Sequence, residues 1–167
     1  LSIWPTERQG SLSGDADKIE VCAEDGFGWA ERGKLKEICM FQTTITWEEG
    51  TRAAGLMIHA DADLKKWCQL RLEFKHGRIE MDRYNRVDGD QQYLDERPVT
   101  FKGNSAQVKL VVSGNIMLVY VDDVALTARC YEIGVGSIGI FTEYGKIVCT
   151  DTQLLEQEKC EKTCATA

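Results

Sequence analysis

One stretch of the sequence, AQVKLVVSGNIMLVYVDDVALTARCY at residues 106 to 131, limits the possible folds more than any other. Apolar residues recur at every second position on both sides of a break at residues 113 to 115, and many of them are β-branched. This period of two around a Gly-Asn break predicts a β-hairpin. Asp122 and Asp123 predict a second tight turn, of type I′-like geometry, into a third strand. Because the middle strand is apolar on both faces, we expect both faces to be covered.

Short strand-like runs of the same kind occur along the rest of the chain. Residues 36 to 47 alternate regularly, and one face of this run is the candidate core. That face carries Cys39, Phe41, Thr43, Ile45 and Trp47. About ten such strands, spaced by roughly 8 to 12 residues, predict an all-β fold that is a two-sheet antiparallel β-sandwich.

Three segments are expected to interrupt this pattern. Residues 24 to 33 hold three glycines and are predicted to form a loop. Residues 83 to 98 are polar and predict the longest irregular segment, and a loop of that length in a small domain is usually functional or disordered. Gly145 is expected to turn the chain between the last two strands.

The length of 167 residues suits one domain with a single core. We expect residues 1 to 155 to form this domain and residues 156 to 167 to form a polar tail. Since the chain does not begin with Met, we expect a processed product or a piece of a longer protein.

The charge balance argues against two classes of partner. The chain has 20 Lys and Arg against 27 Asp and Glu, a net charge of −7, and no basic run is interleaved with aromatic residues. Nucleic acid and anionic membrane are therefore not expected as partners. No apolar run approaches the roughly 20 residues of a membrane span.

The seven cysteines form an odd set without CxxC spacing. This pattern favours neither a disulfide framework nor a zinc site. Five of them occur singly in strand-like runs, where a reduced cysteine behaves as a small apolar residue, so we predict buried free thiols in a reducing compartment. Cys160 and Cys164 lie in the polar tail and are expected to have no role. The five cysteines in strand-like runs are Cys22, Cys39, Cys68, Cys130 and Cys149.

Four segments, taken in order, carry a family resemblance: CMFQTTITWEEGTRAAGLMI, RIEMDR, DERPVTF and VKLVVSGNIMLVYVDDVALTARCYE. Together they resemble the C-terminal β-sandwich module of glycoside hydrolase family 32, the β-fructosidases that cut sucrose, inulin and levan. The resemblance covers about residues 36 to 150. It implies a concanavalin-like jelly roll that packs beside a five-bladed catalytic propeller.

The resemblance does not extend to the catalytic machinery. The propeller's WMNDPNG-like, RDP and EC segments are absent from the sequence. Retaining hydrolysis also needs two carboxylates roughly 5 to 5.5 Å apart, whereas Glu48 and Glu49 are adjacent and would point to opposite faces of a strand. We therefore expect an accessory module of a glycoside hydrolase and no catalysis by this chain.

The same sandwich is similar to a carbohydrate-binding module of some levanases that holds the terminal fructose of a fructan, which implies a fructan or another fructose-containing sugar as ligand. Sugar recognition uses carboxylate and guanidinium groups that pair with neighbouring hydroxyls, with an aromatic ring beside them. Two stretches offer this chemistry, and Trp47 or Trp67 would supply an apolar wall. The candidate ligand residues are Glu48, Glu49 and Arg52 in one turn, Asp82, Arg83 and Tyr84 at a strand end, and Trp67.

Each candidate also has a purely structural interpretation. Glu48 and Glu49 would form a solvated turn, Arg52 and Asp82 would form an ion pair between strands, and Trp67 would belong to the core. Sequence alone leaves these alternatives open.

No cofactor is expected. Asp61 and Asp63 resemble a fragment of a calcium loop, but the spacing of a calcium-binding hand is missing. His59 is expected to be an ordinary strand histidine. Localisation is open, because free cysteines favour the cytoplasm and fructan binding favours secretion or the cell surface.

Three functions remain at this point. The first is a fructan-binding module, and the second is a structural C-terminal domain that covers a propeller or mediates dimerisation. The third is a lectin or interaction module with a different ligand.

Overall fold

The computed structural model describes residues 18–131 and 133–156. Every regular element within these ranges is a β-strand, as expected for an all-β fold, and no helix there is long and apolar enough to cross a membrane. The strands are β1 (Ile19–Lys34), β2 (Ile38–Trp47), β3 (Ala53–Ala60), β4 (Lys66–Glu73), β5 (Arg78–Asn85), β6 (Asp90–Pro98), β7 (Ser105–Ser113), β8 (Ile116–Val121), β9 (Val124–Arg129) and β10 (Ser137–Glu156).

All strand pairs are antiparallel, and two long strands join two sheets. The first half of β10 pairs with β3 and its second half pairs with β2, while β1 follows β10 along both halves. Sheet A therefore contains β6, β5, β4, β3 and the first half of β10 with the second half of β1. Sheet B contains the first half of β1, the second half of β10, and β2, β7, β8 and β9. The expected two-sheet antiparallel sandwich is confirmed.

The core lies between the two sheets, and β2 shows how the sequence determines it. The predicted inner face of β2 is buried throughout, while the alternate residues are partly or fully exposed. Burying one face of a strand is the arrangement that a period of two favours, because successive side chains point to opposite sides.

The prediction that all cysteines are free thiols is wrong. Cys68 on β4 and Cys130 after β9 form a disulfide between the two sheets. These residues are 62 positions apart, so only the tertiary structure brings them together. Cys39 and Cys149 are buried free thiols as expected, whereas Cys22 is exposed. Cys160 and Cys164 lie outside the described residues.

The two segments expected to be irregular consist mostly of strand. Residues 24 to 33 belong to β1, in which Gly26 (φ 85°) lies at a β-bulge between Ala23 and Phe27. Residues 83 to 98 form the end of β5 and the whole of β6, joined by a short turn. The polar sequence of β6 fits an edge strand that is largely exposed on both faces.

Gly145 does not turn the chain, because β10 continues through it to Glu156. A Cβ atom at Gly145 would lie 2.4 Å from Thr51 Oγ1, so the glycine allows a close approach between β10 and the turn after β2. The predicted polar tail, except for Glu156, lies outside the described residues.

The middle strand of the β7–β9 meander is not covered on both faces. Ile116 and Tyr120 of β8 are 38% and 39% exposed on the face that points away from the core. The turn after β8 is tight as expected, with a positive φ of 52° at Asp122 alone. A positive φ at the first central residue only fits type II′ geometry better than type I′.

Candidate functional site

A pocket of ≈ 920 Å³ opens at one end of the sandwich, and we call it the end pocket. The turn between β2 and β3, the hairpin turn between β4 and β5, and the loop before β7 surround it. Its lining residues are Trp47, Glu49, Gly50, Thr51, Arg52, Glu73, Phe74, Lys75, His76 and Asn104.

Backbone hydrogen bonds fix the turn that carries Glu49 and Arg52. Thr51 N donates to Glu48 O at 3.1 Å, and Arg52 N donates to Glu143 O on β10 at 3.2 Å. Gly50 between them has a φ of 87°, a conformation that glycine adopts without strain. The turn is therefore held against β10.

Aromatic rings form the inner wall of the end pocket. The rings of Trp47 and Phe74 stack with centroids 4.0 Å apart, and Phe101 lies edge-on to both. Asn104 ties the loop before β7 to this wall, because its Nδ2 donates to Trp47 O at 3.1 Å. Stacked and edge-on rings of this kind give a rigid apolar surface.

The carboxylate of Glu73 is held from below by Arg71. Arg71 donates its Nε to Glu73 Oε1 and its two Nη groups to the Glu143 carboxylate, with Nη2 to Oε2 at 2.8 Å. Burial opposes the charge of Arg71, but the hydrogen bonds and charges of Glu143 and Glu73 raise its pKa above the usual value. The Glu73 carboxylate therefore has one oxygen engaged on the outer face of sheet A, while Leu72 and Phe74 pack on the core.

The predicted residues of the 48–52 turn divide between pocket and solvent. Glu49 and Arg52 line the end pocket, whereas Glu48 pairs with Lys146, its Oε1 3.5 Å from Nζ. The guanidinium of Arg52 lies over the ring of Tyr144, with 5.7 Å from Cζ to the centroid. The alternative ion pair between Arg52 and Asp82 is therefore wrong.

Asp82, Tyr84 and Trp67 lie on the outer face of sheet A, where Trp67 belongs to a second buried apolar cluster and Tyr84 packs against it. The rings of Trp67 and Tyr84 stack with centroids 4.9 Å apart, and Trp67 Nε1 donates to Gln69 Oε1 at 3.2 Å. Trp67 is fully buried. None of these three residues lines the end pocket, and their role in ligand binding stays a prediction.

Asp82 is a buried carboxyl with an unusual titration. It is 2% exposed, and its Oδ1 has no hydrogen-bond partner among the described residues. Burial first, and then the nearby charge of Glu80, raise the pKa of Asp82 to about 6. Burial and the Asp82 charge also raise the pKa of Tyr84.

Arg83, the remaining predicted ligand residue, takes part in other contacts. Its Nη2 donates to Asp90 Oδ2 at 3.0 Å and its Nη1 donates to Tyr131 O at 3.3 Å. Because it alternates with Asp82 and Tyr84 along β5, Arg83 points to the opposite face of the sheet.

The weak calcium candidate has other contacts as well. Asp61 Oδ1 accepts from Lys65 N at 2.6 Å, and Asp63 pairs with Lys65 at 3.4 Å. Within residues 18–131 and 133–156, no group of three or more His, Cys, Asp or Glu side chains could hold a metal ion. His59 is buried, its Nδ1 accepts from Gly136 N at 3.4 Å, and burial lowers its pKa.

Half of the residues that line the end pocket are not predicted from the sequence. Glu73, Phe74 and His76 belong to the β4–β5 hairpin, and Asn104 precedes β7. The hairpin itself is predictable from its Lys-His-Gly turn, but only the strand order places it beside the 48–52 turn.

No protein-family model matches this sequence, and no curated protein matches it. Solved structures with a similar fold are found at low identity. The carbohydrate binding module CBM66 from Bacillus subtilis is 14% identical, with a TM-score of 0.66 over 90% of this chain and 92% of that chain. Sheep galectin-11 is 12% identical, with a TM-score of 0.56 over 80% and 98%.

A third similar structure is a larger enzyme, the beta-fructofuranosidase of Aspergillus kawachii. It is 14% identical, with a TM-score of 0.64, and the match covers 87% of this chain but 28% of the enzyme. At these identities the three structures show that the β-sandwich fold is shared.

Proposed function

We propose that this chain is a non-catalytic carbohydrate-binding module that recognises fructose units of fructans such as levan and inulin, in association with a β-fructosidase. The observation that carries the proposal is the composition of the end pocket. Glu49 supplies a carboxylate, Arg52 supplies a guanidinium, and Trp47 with Phe74 supplies an aromatic wall.

These groups match the chemistry of a sugar. Carboxylate oxygens accept from hydroxyl groups, and guanidinium N–H groups donate to them in a fixed fork, so the two together recognise neighbouring hydroxyls. The aromatic wall suits the apolar C–H face of the sugar ring. A volume of ≈ 920 Å³ is within the range of small-molecule sites, roughly 300–1,000 Å³.

The fold comparisons support the choice of ligand. Similar sandwiches occur in a protein named as a carbohydrate binding module and in a beta-fructofuranosidase. The fructan specificity rests on these likenesses and on the sequence resemblance to family 32. The Cys68–Cys130 disulfide supports an oxidising compartment, which agrees with a secreted or cell-surface module.

Calorimetry of the chain with levan, inulin and sucrose tests the proposal. We expect binding of at least one fructan, weakened about tenfold or more by Arg52→Ala, because a desolvated charged hydrogen bond is lost. Arg83→Ala is the matched control, since Arg83 lies outside the end pocket.

The Arg83→Ala control also tests the other predicted ligand site, at residues 82 to 84. Loss of binding in Arg83→Ala with full binding in Arg52→Ala would move the site to residues 82 to 84. No heat with any of the three sugars at millimolar concentration would overturn the proposal.

One observation favours the alternative of a structural C-terminal domain. Ile38 and Ile116 are 46% and 38% exposed on the outer face of sheet B, and both pair with Ser113 of β7. An exposed apolar patch of this kind fits a surface that packs on a propeller or on a second copy. A dimer in analytical ultracentrifugation that Ile116→Glu dissociates, with no sugar binding, would support this alternative.

A further inference from the structure

A second depression, of ≈ 400 Å³, lies on the outer face of sheet B, and we call it the sheet B groove. Its polar floor comes from neighbouring positions on β2 and β7, where Thr44 pairs with Gln107 and Gln42 pairs with Lys109. Tyr120 of β8 pairs with Lys109 and stands beside this floor. The side chains are therefore mounted on adjacent strands, which hold them more rigidly than loops do.

A β-bulge turns an acidic side chain toward the groove. The pairing of β10 with β2 shifts register between Thr150 and Gln153, and Asp151 has a positive φ of 53°. Thr152 faces the core instead, where its hydroxyl lies 2.8 Å from that of Thr43. Bulges that re-aim a side chain, at a residue with an unfavourable φ, are frequent next to functional sites.

The chemistry of the groove fits a neutral ligand rich in hydroxyl groups. Gln107 presents an amide that both donates and accepts, Asp151 accepts, and Lys109 donates. The Nε2 of Gln42 already donates to Gln153 Oε1 at 3.0 Å, which leaves its oxygen and its second N–H for a ligand. Charges of both signs are present, so the groove does not select strongly for an ion. Tyr120 is 39% exposed and offers an aromatic face with a polar tip.

The groove and the end pocket share two strands but lie on opposite faces of β2, because Trp47 belongs to its buried face and Thr44 to its outer face. Trp47 of the pocket is three residues beyond Thr44 on β2, and Asn104 of the pocket is three residues before Gln107 at the start of β7. Three residues of extended strand span about 10 Å. To reach the groove, a sugar chain that leaves the pocket has to pass over the ends of these strands, so it needs to be several units long.

We propose that the sheet B groove is a second carbohydrate subsite, which binds inner units of a fructan chain whose terminal unit occupies the end pocket. The inference rests on the proposed function and adds a second contact on the same ligand. Two contacts on one chain raise the overall affinity for a polymer without changing the affinity for a short sugar. The module would thus prefer long fructans to sucrose.

Sucrose and long-chain levan are the two probes that test this subsite, because only the polymer is long enough to reach the groove. In calorimetry with the full chain, Tyr120→Ala is expected to weaken levan binding about tenfold and to leave sucrose binding unchanged. Tyr93→Ala is the matched control, since Tyr93 is 53% exposed on β6 of sheet A. It should change neither affinity.

The outcomes separate the two proposals. Unchanged levan affinity in both Tyr120→Ala and Gln42→Ala, with circular dichroism showing intact folding, would overturn the groove and leave the end pocket standing. Levan binding that depends on Tyr120 but not on Arg52 would overturn the end pocket and the two-site arrangement, and would leave the groove as the sugar site. If the parent protein bound sucrose and levan with equal affinity, with levan concentration counted as chain ends, the groove proposal would also be overturned.

Discussion

Arg71 of β4 and Glu143 of β10 form a two-pronged ion pair that passes over the strand between them. That strand is β3, where Gly55 pairs with Arg71 and Ala53 pairs with Glu143. Because these two residues have almost no side chain, the guanidinium reaches the carboxylate, with Nη2 2.8 Å from Oε2. Both charged side chains are about nine-tenths buried, so the pair ties three strands of sheet A beneath the end pocket.

Arg71→Met should destabilise the fold strongly. The substitution keeps the side-chain bulk but leaves the carboxylates of Glu73 and Glu143 buried without their cation. Removing one partner of a buried pair costs about 3–5 kcal/mol, which urea unfolding would show as a lower free energy of unfolding.

The control for this prediction is Arg97→Met. Arg97 pairs with Asp95 at 2.6 Å, but both side chains are substantially exposed, and such surface pairs contribute about 0–1 kcal/mol. Equal losses in the two variants would mean that solvent screens the Arg71 pair as well.

Removing the disulfide should lower stability by about 4 kcal/mol, because a cross-link over 62 residues restricts the unfolded chain. The test compares urea unfolding of Cys68→Ala/Cys130→Ala with that of Cys22→Ser, which changes an exposed free thiol. Peptide mapping under non-reducing conditions should recover the fragments of Cys68 and Cys130 joined together. Recovery of both cysteines as alkylated free thiols would contradict the pairing.

The fold is predictable from sequence wherever one face of a strand is buried and the other is exposed to solvent. β2 is the clearest case, since its alternation specifies both the strand and its core face. β6 is different, because an exposed edge strand needs no apolar residues. Its sequence therefore shows no alternation of apolar and polar residues that would predict a strand. β10 changes sheets midway, so its glycines indicate close approaches and not turns.

The candidate site is predictable only in part for a related reason. Glu49 and Arg52 belong to one conspicuous turn, but His76 and Asn104 come from loops more than 20 residues away in sequence. Local pattern carries no information about which loops share an end of the sandwich. The disulfide is hidden from local pattern for the same reason, since only the packing of the two sheets brings Cys68 and Cys130 together.

Asp82→Asn should stabilise the protein above pH 6 and have less effect near pH 4. The folded-state pKa of Asp82 is about 6 against 3.8 for the free side chain, so between these values the folded state holds a proton that the unfolded state has released. Stability from this group therefore falls as the pH rises through the window from about 4 to 6. The asparagine does not titrate, and the difference between pH 4 and pH 8 should reach about 2 kcal/mol.

The measurement is urea unfolding of both proteins at several pH values. Taking the difference between variant and parent cancels most of the contribution of the neighbouring Glu80, whose pKa burial also raises. Asp63→Asn is the control, because Asp63 is largely exposed and its substitution should give a small difference across the range. A flat difference for Asp82→Asn would show that its carboxyl titrates normally.

Among glycine-to-alanine substitutions in this part of sheet A, Gly55→Ala should be the most disruptive. A Cβ atom there would lie 1.9 Å from Leu70 O and 3.1 Å from the Phe141 ring. Since the nearer atom is backbone, β3 and β4 would have to separate, and the path of Arg71 across β3 would close. We expect a loss of at least about 2 kcal/mol, measured by urea unfolding. Gly134→Ala, which has no atom within 4 Å of the added carbon, should stay within about 0.5 kcal/mol of the parent; similar stabilities for the two variants would show that β3 and β4 can separate without cost.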